Sequence, residues 1–425
     1  MRLTRRDLLR SALAAGVVAA TPSWLPGAGT STAPAWARRL ILVELDGGND
    51  GLNAFVPWAD PAYRTKRPTI NLADTDLRTF ADSSGVRMNF NLVDGPGTGR
   101  FKRLWDNGEL AVALGVGMPN QSHSHFRGMD VWNSGSSATT LWTTGWLQRA
   151  LTSAGTLPAT QAAQGVILSR TTSDPLAGSG MNVLAMNDLL GFVRDVQDMQ
   201  APATVGSAAL QHILRVQGTV VAARAQFETK LGWNPAGKGS LTTLPTFTGD
   251  TGNELFPAGD FGKQCRTVAQ VISAGIEIPV FKIRIGGFDN HSNQLAKHND
   301  LLAQFAHGLT GLRDALNEKG RLADTLIMTY SEFGRRVEEN GSKGTDHGSL
   351  APHVLISGAG NFTSTTRIHG VQPSLSDLDS RGDLKWIAGT SLDYRSLYAT
   401  ALRFLGMPEG VFDATYAPLP GLLTI

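Results

Sequence analysis

Five short apolar runs constrain this chain more than any other feature. They are Leu40 to Leu45, Leu110 to Leu114, Val280 to Ile285, Thr325 to Thr329 and His353 to Ile356, and most stop abruptly at Gly, Asp, His or Ser. Near-continuous apolar runs of this length suit strands covered on both faces, as in a parallel sheet between two helical layers. Helical periodicity fills Gly262 to Ala274 and Ser292 to Glu318, and a terminal helix is expected over Tyr394 to Leu405. The alternation predicts an α/β fold, a doubly wound and mostly parallel sheet with helices on both faces. In such sheets ligands sit beyond the carboxyl ends of the strands. That is where this chain collects its acids and histidines.

The first 37 residues stand outside the pattern. Thr4-Arg5-Arg6-Asp7-Leu8-Leu9-Arg10 leads into a weakly apolar run, Ser11 to Ala20, and Ala33-Pro34-Ala35-Trp36-Ala37 offers a small-x-small cleavage site before Arg38. The paired arginines resemble a twin-arginine export signal, which is an address and not an anchor. A spanning helix needs about 20 apolar residues, and Pro22 and Pro26 interrupt this stretch. Residues 1–37 are therefore expected to be a signal peptide read by the twin-arginine translocase. The mature protein, 38–425, is expected to be periplasmic or secreted, with no stable membrane span.

Composition narrows the function further. The formal net charge is +2 and the one cysteine is Cys265. Neither a nucleic-acid surface, nor a disulfide framework, nor a multi-cysteine metal site follows from that. The stretch from about 136 to 257 is rich in Gly, Ser, Thr and Ala. It is expected to be a helical, loop-rich insertion or cap packed beside the sheet.

The polar clusters after the runs supply the candidates. Asp46 follows the first run, and Gly47-Gly48 lets backbone approach a ligand; a carboxylate there either binds a cation or caps the turn. Ser122 and Ser124 sit where a helix opens after the second run, with Arg127 just beyond. Each serine is either an N-cap or an attacking hydroxyl that a base or metal activates. Asp289 and His291 follow the third run two residues apart, so in an extended segment both face one side and can share a cation. His298, on the next helix, either approaches the same place or is exposed. Glu332 ends the fourth run, and Arg335 nearby either pairs with it or meets an anionic substrate. His347 closes a Gly-rich loop and is the leading ligand candidate; Asp346 is a further ligand or an outer carboxylate that orients it. A set mixing carboxylate and imidazole suits Zn, Mn or Fe, with Ca or Mg where oxygens dominate.

Taken together, several segments look familiar. The leader, Gly47-Gly48-Asn49-Asp50-Gly51-Leu52-Asn53, Ser124-His125-Phe126, Gly287-Phe288-Asp289-Asn290-His291, Ser331-Glu332-Phe333-Gly334-Arg335 and Gly344-Thr345-Asp346-His347-Gly348 resemble the exported bacterial domain-of-unknown-function family numbered 1501. That family in turn is similar to a distant branch of the alkaline phosphatase and sulfatase superfamily. The resemblance implies Asp46 as a first-strand metal ligand, Ser124 or Ser122 as nucleophile, Asp289 and His291 as a later ligand pair, and His347 as the last ligand. Ser331-Glu332 stands where that superfamily carries Asp-His, and no cysteine lies near Ser124 to mature into formylglycine. The function implied is an exported metal-dependent hydrolase or transferase of phosphate or sulfate esters. Zn or Mn, or else Ca or Mg, would activate Ser124 or a water, with Arg127 or Arg335 assisting. The altered ligand pattern supports an alternative, a non-catalytic envelope protein that keeps the fold and binds a glycan, a lipid or a protein partner.

Overall fold

Alternation within the first apolar run decides the architecture. β1 (Arg39–Asp46) sends Ile41, Val43 and Leu45 into one hydrophobic cluster and Leu40 and Leu42 into another. All five are buried, so the strand is covered on both faces. The computed structural model describes residues 36–80, 85–94, 100–140, 142–168, 174–196, 208–363 and 367–424. All but the last two residues of the expected leader lie outside that set.

Eight more strands join β1 in one sheet. They are β2 (Leu110–Gly117), β3 (Gly165–Ile167), β4 (Val183–Ala185), β5 (Val280–Gly286), β6 (Thr325–Tyr330), β7 (Ala351–Ile356), β8 (Ile368–His369) and β9 (Leu392–Asp393). The order is β8-β2-β7-β6-β1-β5-β3-β4, with β9 also paired to β2. β1 is central, with Leu42 opposite Lys282 of β5 on one side and Met328 of β6 on the other.

Helices cover both faces. On the Ile41 side lie the described part of α3 (Ala208–Leu231), α4 (Asp260–Ser273) and α5 (Gln294–Glu318), contributing Phe227, Val268, Ile272, Leu309 and Leu312. On the Leu40 side lie α1 (His125–Ser134), α2 (Trp146–Ser153) and α6 (Tyr394–Leu405), contributing Val131, Trp132, Leu147 and Leu402. Trp146 stacks on Tyr398 there with ring centroids 4.2 Å apart. This is the doubly wound, mostly parallel α/β arrangement. Among the described residues no helix is long and apolar enough to cross a membrane.

Two features depart from the sequence reading. The first is the direction of β7, which runs antiparallel to both β6 and β2 while every other pairing in the sheet is parallel. The loop after β6 doubles back on itself: Gly334 N–H donates to the Ser349 carbonyl and Gly348 N–H to that of Gly334. A chain returning this directly has no room for a crossover helix, so its next strand must be antiparallel. The amino end of β7, not Ser357, therefore lies at the edge where β1 and β6 finish. The second is the 136–257 stretch, which is not simply a cap beside the sheet. α2 packs on the sheet face, and β3 and β4 extend the sheet in parallel beyond β5. Strands of three residues are too short to show alternation in a sequence.

A third, smaller cluster lies outside the sheet. Leu52, Val56, Tyr63 and Leu350 pack there against Leu375 and Leu384, which anchors the late segment 375–384 close to the carboxyl edge.

Candidate metal centre

Topology brings the polar clusters to one edge. β1, β5 and β6 end there at Asp46, Gly286 and Tyr330, β7 begins there just after His347, and β2 leads there into the loop before α1. Glycine makes the approach close enough. Gly47 has a φ of 111°, and a Cβ on it would sit 2.4 Å from the Asp289 nitrogen. A Cβ on Gly128 would sit 3.0 Å from that of Glu332, so α1 lies directly against the end of β6.

Four side chains converge on this spot. Nε2 of His291 lies 2.9 Å and Nε2 of His347 3.1 Å from Asp289 Oδ1, and the two nitrogens are 3.0 Å apart. Nε2 of His125 lies 3.4 Å from Asp289 Oδ2. Ligand atoms of His125, Asp289 and His347 all fall within 4.8 Å of one another. The opposite nitrogens face outward. His125 Nδ1 lies 2.8 Å from Glu332 Oε1, His347 Nδ1 2.7 Å from the His123 carbonyl and His291 Nδ1 3.5 Å from Asp346 Oδ1. An Nδ1–H donated outward leaves the Nε2 lone pair pointing inward. Buried Phe333 packs against the rings of His125 and His347, at centroid distances of 5.0 and 4.5 Å.

The surrounding charges set the protonation. Burial pushes the Asp289 carboxyl up, but the hydrogen bond and charge of Arg335, with the His347 imidazole beside it, outweigh that and hold it at about 2. The Glu332 hydrogen bond raises the His125 imidazole against the pull of burial, while burial lowers that of His347. The centre thus holds an ionised carboxylate among imidazoles.

The other predicted residues take different stations. Glu332 is fully buried, and besides His125 it accepts from the Gly47 N–H at 2.9 Å and the Ser331 hydroxyl at 3.2 Å, so it is an outer carboxylate. Asp346 stands behind His291 and accepts from Asn340 at 3.2 Å. Asp46 turns away to pair with Arg284. Arg335 is buried and donates to the carbonyls of Gly47, Gly48, Phe288 and Thr345 and, at 2.7 Å, to Asp289. Its guanidinium therefore ties these loops together. Arg127 donates to the carbonyls of Ala138 and Thr140. Ser124 is the N-cap of α1, its exposed hydroxyl accepting from the Arg127 N–H at 3.5 Å, and Ser122 accepts from the Ser124 N–H at 3.3 Å. His298 is buried with Nε2 2.9 Å from the Asn49 side-chain oxygen, neither exposed nor near the cluster's inner nitrogens.

Sequence reasoning passed over His125. It does not end a strand but opens a helix beside two serines that drew the attention, and only its alternation with His123 in a polar loop marks it. A cleft of about 750 Å³ opens over Arg284 and Gly286 at the end of β5, lined also by Asn187, Lys263 and Gln304 but by none of the four clustered side chains.

Solved structures resemble the chain loosely. A protein of the alkaline phosphatase superfamily from Vibrio parahaemolyticus is 12% identical, over 89% of this chain and 70% of that one, with a TM-score of 0.36. The PsFucS1 sulfatase from Pseudoalteromonas sp. is also 12% identical, over 90% and 70%, with a TM-score of 0.34. The C-terminal periplasmic domain of EcEptC from Escherichia coli, in complex with Zn, is 11% identical over 91% and 87%, with a TM-score of 0.34. At these scores the likeness says nothing of activity. No curated protein matches the sequence. Residues 37–407 match the family described as protein of unknown function DUF1501, and the chain belongs to that family.

Proposed function

We propose that this protein is an exported, metal-dependent hydrolase or transferase of phosphate or sulfate esters, with His125, Asp289, His291 and His347 as its metal ligands. The observation that carries the reading is the convergence of three Nε2 atoms on one carboxylate while all three Nδ1 atoms face outward partners. The donor set fits zinc or manganese; calcium and magnesium prefer more oxygens than it offers. When bound, such a cation supplies Lewis-acid polarisation of an ester oxygen. Ser124 stands one residue before His125, its exposed hydroxyl at the amino terminus of α1. That position suits an attacking group that must face an anion. Export rests on the paired arginines of the leader.

Protein purified without chelator is expected to carry zinc or manganese by atomic emission and to hydrolyse 4-nitrophenyl phosphate or sulfate. Metal-free, folded protein that takes up neither ion would sink the reading. One observation favours the alternative of a non-catalytic envelope binder: Ser124 is occupied as a helix cap, and Arg127 and Arg335 are both committed to carbonyls. Ser124→Ala separates the two. Loss of hydrolysis with metal retained supports the enzyme; wild-type protein that holds metal but cleaves neither ester supports the binder.

A further inference from the structure

Asp383 belongs to none of the strand-end clusters, yet its carboxylate is among the most buried in the molecule. The segment carrying it has its own supports. Leu375 and Leu384 anchor it in the third cluster, the Ser349 hydroxyl donates to the Leu384 carbonyl at 2.6 Å, and Asp379 accepts from the Asp383 N–H at 2.9 Å. Nothing in that scaffold requires an acid at 383. A carboxylate taken out of water must be matched by an opposite charge or a donor, and what stands beside this one are Nε2 of His123 at 2.9 Å and Nε of Arg336 at 3.6 Å, at ion-pair distance but not aligned as hydrogen bonds.

Both partners lead into the candidate metal centre. The His123 carbonyl is the atom that holds Nδ1 of His347 at 2.7 Å, and His125 lies two residues further along the same loop. Arg336 lies 3.8 Å from Asp346, which stands behind His291. One buried carboxylate, arriving from late in the chain, thus stands behind the supports of His347 and His291 and beside the loop that leads to His125.

We infer that Asp383 is a positioning residue for the metal centre: acting through His123, it fixes the loop whose carbonyl orients His347 and whose next turn carries His125. The inference rests on the metal-binding reading above. Outer partners of this kind set metal affinity by about 10–100-fold when removed.

The test uses the full mature chain, stripped of metal and titrated with Zn²⁺ and with Co²⁺, the latter for its visible absorption bands. Wild type, Asp383→Asn, His123→Gln and the double variant are compared. Each single variant should bind Zn²⁺ about 10–100-fold more weakly and shift the Co²⁺ bands, a signature that general loosening elsewhere would not produce. The double variant should lose no more than either single one, because both act along one path. Wild-type binding with Asp383→Asn unchanged overturns the inference and leaves the metal reading standing. Additive losses overturn it too, since Asp383 would then act apart from His123. Wild type that binds neither ion overturns both readings. Should Asp383→Asn fail to fold, His123→Gln decides alone: weakened binding upholds the path and unchanged binding removes it.

Discussion

Two polar clusters lie beside each other behind the carboxyl edge, and they are built on opposite plans. In the cluster around Asp50, every strong group looks to another protein group. Asp50 accepts from Arg67 at 2.7 Å, from Gln294 and from the Leu52 N–H; Asn53 accepts from Arg67 and from Tyr63, each at 2.9 Å; Gln294 accepts from Thr345 at 2.6 Å. Arg67 outweighs the effect of burial and lowers the Asp50 carboxyl. In the His125–Asp289–His291–His347 cluster the outward ring nitrogens are tied, while the three Nε2 atoms face one carboxylate, which also accepts from Arg335. Both clusters hold acids and bases of the same kinds. What separates a scaffold from a candidate site is where the unspent lone pairs point.

That contrast is open to direct attack, in metal-stripped protein by urea unfolding. The largest effect is expected from Arg67→Leu, which strands a buried Asp50 carboxylate and should cost about 3–5 kcal/mol. A cost under about 1 kcal/mol would mean that this network is not a scaffold. Next comes acid. Burial lowers the His298 imidazole from 6.5 to about 4, so the unfolded chain takes up its proton first as pH falls. The stability due to neutral His298 is complete above about pH 6.5, declines below it and is gone below about pH 4, roughly 3 kcal/mol in all. His298→Gln should flatten that part of the stability-versus-pH curve relative to wild type; parallel curves would remove His298 from the account. The smallest effect on stability is expected from His347→Ala, within about 1 kcal/mol because the side chain is partly exposed at the sheet edge. The same substitution should abolish zinc uptake in equilibrium dialysis. Large destabilisation with zinc uptake intact would reverse the assignment of the two clusters.

Much of this arrangement was legible in the sequence, for reasons that particular residues make plain. The runs at Leu40, Val280 and Thr325 are buried on both faces, so burial writes itself directly into composition. The direction of β7 was not legible, because a glycine-rich loop sets it through backbone bonds that no side-chain pattern encodes. β8 and β9, two residues each, carry no period to detect. At the edge, Asp289, His291 and His347 announced themselves by following or preceding strands. The division between inner and outer acids did not, since Glu332 and Asp289 differ only in which way they point across elements distant in the chain. Asp383 had no local signal at all.

The placement of β1 has a consequence for synthesis. Among the described residues the earliest strand in the chain is the central one, and its two neighbours are Val280–Gly286 and Thr325–Tyr330. A ribosome adding about 5–20 residues per second leaves Leu40 to Leu45 without sheet partners for on the order of ten to fifty seconds. Throughout that interval the chain carries an unpaired apolar strand and cannot complete its sheet. A chain cut anywhere before β6 would therefore lack a neighbour of β1 on at least one side.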